Sequence, residues 1–73
     1  MLDLSLVSSH HVRRYSITLA GEEGWEVTLE EDRVVRKRET YKDWHRVERM
    51  RTWVEREVSS LIERGWTLQS VNR

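Results

Sequence analysis

The sequence predicts a two-layer α+β domain, in which an antiparallel meander of three or four strands carries one long helix on a single face and a short C-terminal strand closes the fold. Three observations carry this. Before residue 41 apolar side chains return at every second position, the mark of strands with one dry face. From Trp44 to Ile62 they return at helical spacing instead. Glycines at positions 21, 24 and 65 punctuate the changes of period.

Leu2, Leu4 and Leu6 alternate with Asp3 and Ser5, which argues a short first strand running into the polar Ser8-Ser9-His10-His11 connection. Val12 to Leu19 alternate again, with Tyr15, Ile17 and Leu19 set against Arg14, Ser16 and Thr18. Ala20-Gly21-Glu22-Glu23-Gly24 reverses the chain, and Trp25, Val27 and Leu29 then alternate with Glu26, Thr28 and Glu30, so the pair reads as a hairpin. After Glu31-Asp32-Arg33, Val34 to Tyr41 extend as a further paired strand. A three-residue loop there would set Arg36 opposite Thr28 and Arg38 opposite Glu26 on the wet side, with Val35 beside Leu29 inside. An even loop would turn Val34 inward. The three-residue loop is the expectation.

At about 100° per residue, Trp44, Val47, Met50, Val54, Val58, Leu61 and Ile62 fall on one arc of roughly 120°, opposite His45, Arg49, Arg56 and Glu63. Thr40 or Asp43 can cap the start. Gly65 stands where a left-handed residue would end the helix, with Trp66 placed to pack back on Leu61. The helix is therefore expected over about 42–64, followed by a strand over 66–71. One core is expected from Tyr15, Ile17, Leu19, Trp25, Val27, Leu29, Val47, Val54, Val58, Leu61 and Leu68.

Seventy-three residues support one hydrophobic core, hence a single domain spanning 1–73. The absence of Cys in so short a chain argues for a reducing compartment, and the first residues show neither a basic region nor an apolar run of signal-peptide length. A cytoplasmic location, with no entry into membranes, is expected. Thirteen basic and thirteen acidic side chains cancel, so any affinity for a polyanion must be local.

The segment Leu61-Ile62-Glu63-Arg64-Gly65-Trp66-Thr67-Leu68-Gln69-Ser70-Val71 resembles small bacterial domains of unknown function in which a helix closes as L-x-x-x-G-W and a strand follows. The order meander, helix, strand is also similar to the WGR domain, although its Trp-Gly-Arg triplet is absent here. In architecture alone it resembles the repeat of the purine-rich-element binding proteins, and likeness of architecture implies no function.

Catalytic and metal chemistry find little to work with. His10 and His11 point to opposite sides of an extended chain, and Asp43 and His45 face different directions on a helix, so no convergent zinc set forms. Ser8, Ser9, Ser59 and Ser60 lack a nucleophile's surroundings, and no phosphate-binding glycine loop or nucleophile elbow occurs. Helix carboxylates such as Glu48 and Glu55 stand in ion-pair spacing with arginines. The expectation is a non-enzymatic protein with no cofactor and no metal. Two binding readings remain. Trp53 lies about 60° beyond Met50, outside the apolar arc, so Met50 and Trp53 are candidates for a protein interface, above all that of a homodimer. The alternative is a nucleic-acid site on Arg33, Arg36, Lys37 and Arg38, whose charge is opposed by Glu22, Glu23, Glu26, Glu30, Glu31 and Asp32 of the neighbouring hairpin.

Overall fold

The structure, a computed structural model, describes the backbone of residues 2–72 and the side chains of residues 2–69. Five strands, β1 (Leu2–Ser8), β2 (His11–Leu19), β3 (Trp25–Glu31), β4 (Val34–Tyr41) and β5 (Thr67–Asn72), form one antiparallel sheet in the order β4-β3-β2-β1-β5. The helix α1 (Trp44–Glu63) follows β4 and precedes β5. Because those two strands are the opposite edges of the sheet, α1 crosses the whole of one face.

The alternation seen in the sequence becomes the dry face of the sheet. Leu2 stands opposite Ile17 and Leu4 opposite Tyr15, while Ile17 in turn opposes Val27, and all five are buried. Val47, Val54, Val58 and Leu61 descend from α1 onto them, with Met50, Trp25, Leu29, Tyr41 and Trp66 packed around the rim. Burying one such aliphatic side chain contributes about 1.5–3 kcal/mol, so the leucines of β1 are as much the core as the helix valines.

Both ends of α1 follow from local chemistry. Asp43 caps the start, its Oδ1 accepting the amide of His45 at 3.0 Å, whereas Thr40 lies within β4 and caps nothing. At the other end Trp66 N–H donates to Leu61 O at 2.9 Å and Gly65 N–H to Ile62 O at 3.1 Å, the paired bonds of a Schellman close. Gly65 adopts φ +100°, which an L side chain resists. Gly24 is more constrained: a Cβ there would lie 2.2 Å from the Tyr41 carbonyl oxygen, so the end of β4 packs against bare backbone.

Three expectations are corrected. The β3–β4 loop has two residues, Asp32 and Arg33, both at positive φ (51° and 68°), with Glu31 opposite Val34. A register shift at Arg36 then puts Lys37 opposite Leu29 and Arg38 opposite Thr28, while Thr40 takes the place opposite Glu26. Val35 consequently opposes Glu30 on the wet face rather than joining Leu29. Leu19 is 61% exposed, because it ends β2 beyond the cover of α1. Leu68 is 38% exposed, since it stands on the outermost strand with a neighbour on one side only.

Candidate functional site

Every functional candidate lies on the two sheet edges, the two flanks of α1 or the uncovered sheet face. That face is mostly polar: Asp3, Ser5, Arg14, Ser16, Thr18, Glu26, Glu30, Arg38 and Thr40 surround the buried Thr28, with Val7, Val12 and Val35 toward one end. Arg14 reaches across it to Asp3 with two parallel bonds, Nε to Oδ1 at 2.9 Å and Nη2 to Oδ2 at 2.7 Å. This hydrogen-bonded guanidinium holds the Asp3 carboxyl below its ordinary range and raises Arg14 in return.

The β4 edge carries the charges that the sequence offered to nucleic acid. Arg36 pairs with Glu31 at 3.8 Å, Lys37 with Glu39 at 3.9 Å and Arg38 with Glu26 at 3.5 Å, so three of the four basic side chains have carboxylate partners within their own hairpin. Arg33 occupies the turn itself. Glu39 also accepts the Tyr41 hydroxyl, a bond that raises the tyrosine. The turn is tied to β2 through Asp32, which accepts Val12 N–H at 2.9 Å and the His11 ring at 3.1 Å; these bonds, the amide first, lower its carboxyl.

The β5 edge differs. Thr67-Leu68-Gln69-Ser70-Val71-Asn72 contains no charged residue, and among the described residues no strand pairs with its outer side. Leu68 opposes Leu6 of β1 and so stands on the helix side. Ile62 lies nine positions after Trp53 and therefore half a turn around α1 from it. It is 47% exposed on the flank opposite β4.

Trp53 points toward β4. Its ring meets Tyr15 edge to face with centroids 6.2 Å apart, and Lys37 Nζ lies 5.6 Å from its centroid. It covers the row Tyr15, Leu29, Lys37 and keeps about a third of its surface open, while Met50 packs against the core rim. The same flank carries Arg46, Arg49 and Arg56. Among the described residues none of these three forms an ion pair, in contrast to Arg13, Arg14, Arg36, Arg38 and Arg51. They border two open grooves, one between α1 and β4 at Glu39 and Tyr41, and one along the helix at Trp53 and Thr52. Sequence reasoning passed over them because, with half the chain's charge acidic, any arginine could be assumed to have a partner. The spacing of Arg46, Arg49, Trp53 and Arg56 was the available signal.

At the far end of the sheet Arg13 lies on the helix side, its guanidinium 5.4 Å from the Trp66 ring centroid and 3.6 Å from Glu31. Burial pushes the Tyr15 hydroxyl up, and Arg13, its hydrogen-bonding neighbour, pulls it partly back. Each displaced group thus answers to a local partner, and the exposed His11–Asp32 pair borders the groove it shares with Arg13 and Trp66. Among the described residues no three His, Asp or Glu side chains converge as metal ligands, and no helix is long and apolar enough to cross a membrane. Comparison with protein-family models yields no match, and neither the curated proteins nor the solved structures include a significant relative.

Proposed function

We propose that this chain is a non-enzymatic interaction module that works as a two-fold homodimer, joined edge to edge through β5. One observation carries the reading: of the two edges, β5 alone lacks charge, and it lies beside two exposed aliphatic side chains, Leu68 and Ile62. An edge strand offers a row of backbone donors and acceptors, and proteins that must stay apart protect it with charge, bulges or cover. Pairing β5 with its own copy around a two-fold axis satisfies those groups by ordinary strand addition. An axis perpendicular to the sheet keeps both helices on the same face, so Leu68 and Ile62 of the two copies approach one another and lose water together.

Sedimentation equilibrium across the micromolar range tests this. The parent is expected to approach twice the 8.9 kDa chain mass, and Leu68→Lys, a charge placed on the bare edge, to stay at the single-chain mass with an unchanged circular dichroism spectrum. Val35→Lys, on the opposite edge, should leave the dimer intact. A parent that remains monomeric at the highest concentration ends the proposal. Dimerisation lost with Val35→Lys and kept with Leu68→Lys would transfer the interface to β4.

A further inference from the structure

From the arginines of the opposite flank we infer that α1 presents a binding row for single-stranded nucleic acid, made of Arg46, Arg49, Trp53 and Arg56. This site is independent of the dimer, because it faces β4 and not β5.

The positions are separated by three, four and three residues, which keeps all four on one side of the helix over about 15 Å. The side chains have the right state as well as the right place. Most other arginines are engaged by carboxylates, as Arg36 is by Glu31 and Arg38 by Glu26. Of the nearby acids, Glu39 pairs with Lys37 at 3.9 Å and Glu55 with Arg51 at 3.3 Å, while Glu48, which accepts Trp44 Nε1–H at 2.8 Å, and the half-buried Glu57, four residues after Trp53, keep their charge. Three arginines without ion pairs against these two carboxylates leave the row locally basic in a chain whose net charge is zero. Guanidinium forks bind phosphate oxygens in pairs.

The tryptophan selects the ligand. An acidic peptide would use the arginines and have no call on an aromatic ring between them, whereas a nucleic-acid strand carries a base for every phosphate, and bases stack on aromatic side chains with little regard to sequence. Lys37 Nζ already rests near the Trp53 ring. A base that takes its place releases that ammonium toward the same phosphate chain, adding a fourth cation. Single strands suit this arrangement better than duplex, whose bases are stacked inside and closed to Trp53.

Fluorescence anisotropy with a labelled oligothymidylate, titrated with salt, decides the matter. Three to four phosphate contacts imply a slope of log K against log salt of about −2 to −3 and affinity in the micromolar range or weaker near physiological salt. Arg49→Gln with Arg56→Gln should lower affinity at least about tenfold and flatten the slope by about one, while Arg38→Gln, whose charge is already paired, should stay within about twofold of the parent. Trp53→Leu, confirmed as folded by its melting curve, should weaken single-strand binding and leave duplex binding unchanged. Leu68→Lys should bind as the parent does, which separates failure here from failure of the dimer. Absence of binding at low salt, equal loss from Arg38→Gln and from the helix pair, or displacement by polyglutamate as effective as by unlabelled oligonucleotide would each overturn the inference.

Discussion

The two edges of this sheet solve the same problem by opposite means. Strand β4 is laced with ion pairs, offset by the register shift at Arg36, and overlooked by Trp53 and Met50 of α1. Strand β5 has no charge in its six residues and, among the described residues, pairs with β1 alone. The foundations differ in the same sense. Beneath β5 runs the row Leu2, Leu4, Leu6, each at most 3% exposed, whereas the residue next to Lys37 of β4 is the half-buried Leu29. One edge defends itself with its surface chemistry; the other leans on a dry strand and leaves its outer side open. A protein that had to remain solitary would gain from defending both.

That contrast can be broken by core truncation. Leu6→Ala removes a side chain with no exposed surface and should cost about 2–5 kcal/mol, enough to unfold most of a domain this small. Leu29→Ala should cost roughly half as much, since part of its surface already meets water. Equal losses in urea unfolding would mean that the β4 side is founded as deeply as the β5 side. Gly24→Ala attacks β4 from its end. The added methyl meets the Tyr41 carbonyl at 2.2 Å and must also adopt φ +98°, so a loss of about 1–3 kcal/mol is expected. Gly65→Ala meets open space and pays only for its backbone angle, with a loss near 1 kcal/mol. If the two substitutions melt alike, the packing of β4 against Gly24 contributes nothing. Smaller still is the ion pair of Arg38 with Glu26, both more than a third exposed, for which a double-mutant cycle should return about 0.2–1 kcal/mol, falling with salt.

The parts of this fold that could be read from the chain are those where one residue type settles one local geometry. Asp43 and Gly65 bracket the helix because a carboxylate accepts free amides and a glycine tolerates positive φ. The β3–β4 turn was not legible, since Asp32 and Arg33 both take positive φ without a glycine to announce it. Once that turn is two residues long, only the extra residue at Arg36 restores Lys37 and Tyr41 to the helix side. Charge pairing depends on that register, so which arginines are neutralised was hidden as well, although the Arg46, Arg49, Trp53, Arg56 spacing was in plain view. Leu19 and Leu68 show the limit of alternation: it assigns a side of the sheet, and the length and path of α1 decide whether anything covers that side.

Acid offers the finest comparison of the edges, because each has one carboxylate held below its ordinary range. Asp3 belongs to the β5 side through β1 and owes its shift first to the Arg14 hydrogen bonds; Asp32 holds the β3–β4 turn and owes its shift to Val12 N–H and then His11. A carboxyl lowered in the folded state contributes stability that is fully present above the unfolded value of about 3.9 and is lost as pH falls through the folded value. The parent should therefore lose melting temperature below about pH 4 and show little change from either group above it. Asp3→Asn removes the charge from a pair whose members are a third to a half exposed, so its cost at neutral pH should stay below about 1 kcal/mol, and its acid limb should be shallower than the parent's. Asp32→Asn keeps a residue that tolerates φ 51° and can still accept Val12 N–H, so any change in its acid limb reports charge and not turn geometry. Melting curves recorded from neutral pH downward should place both variants at lower stability than the parent near neutrality and converging on it in acid. A variant that runs parallel to the parent at every pH would mean that its carboxylate does not anchor that edge.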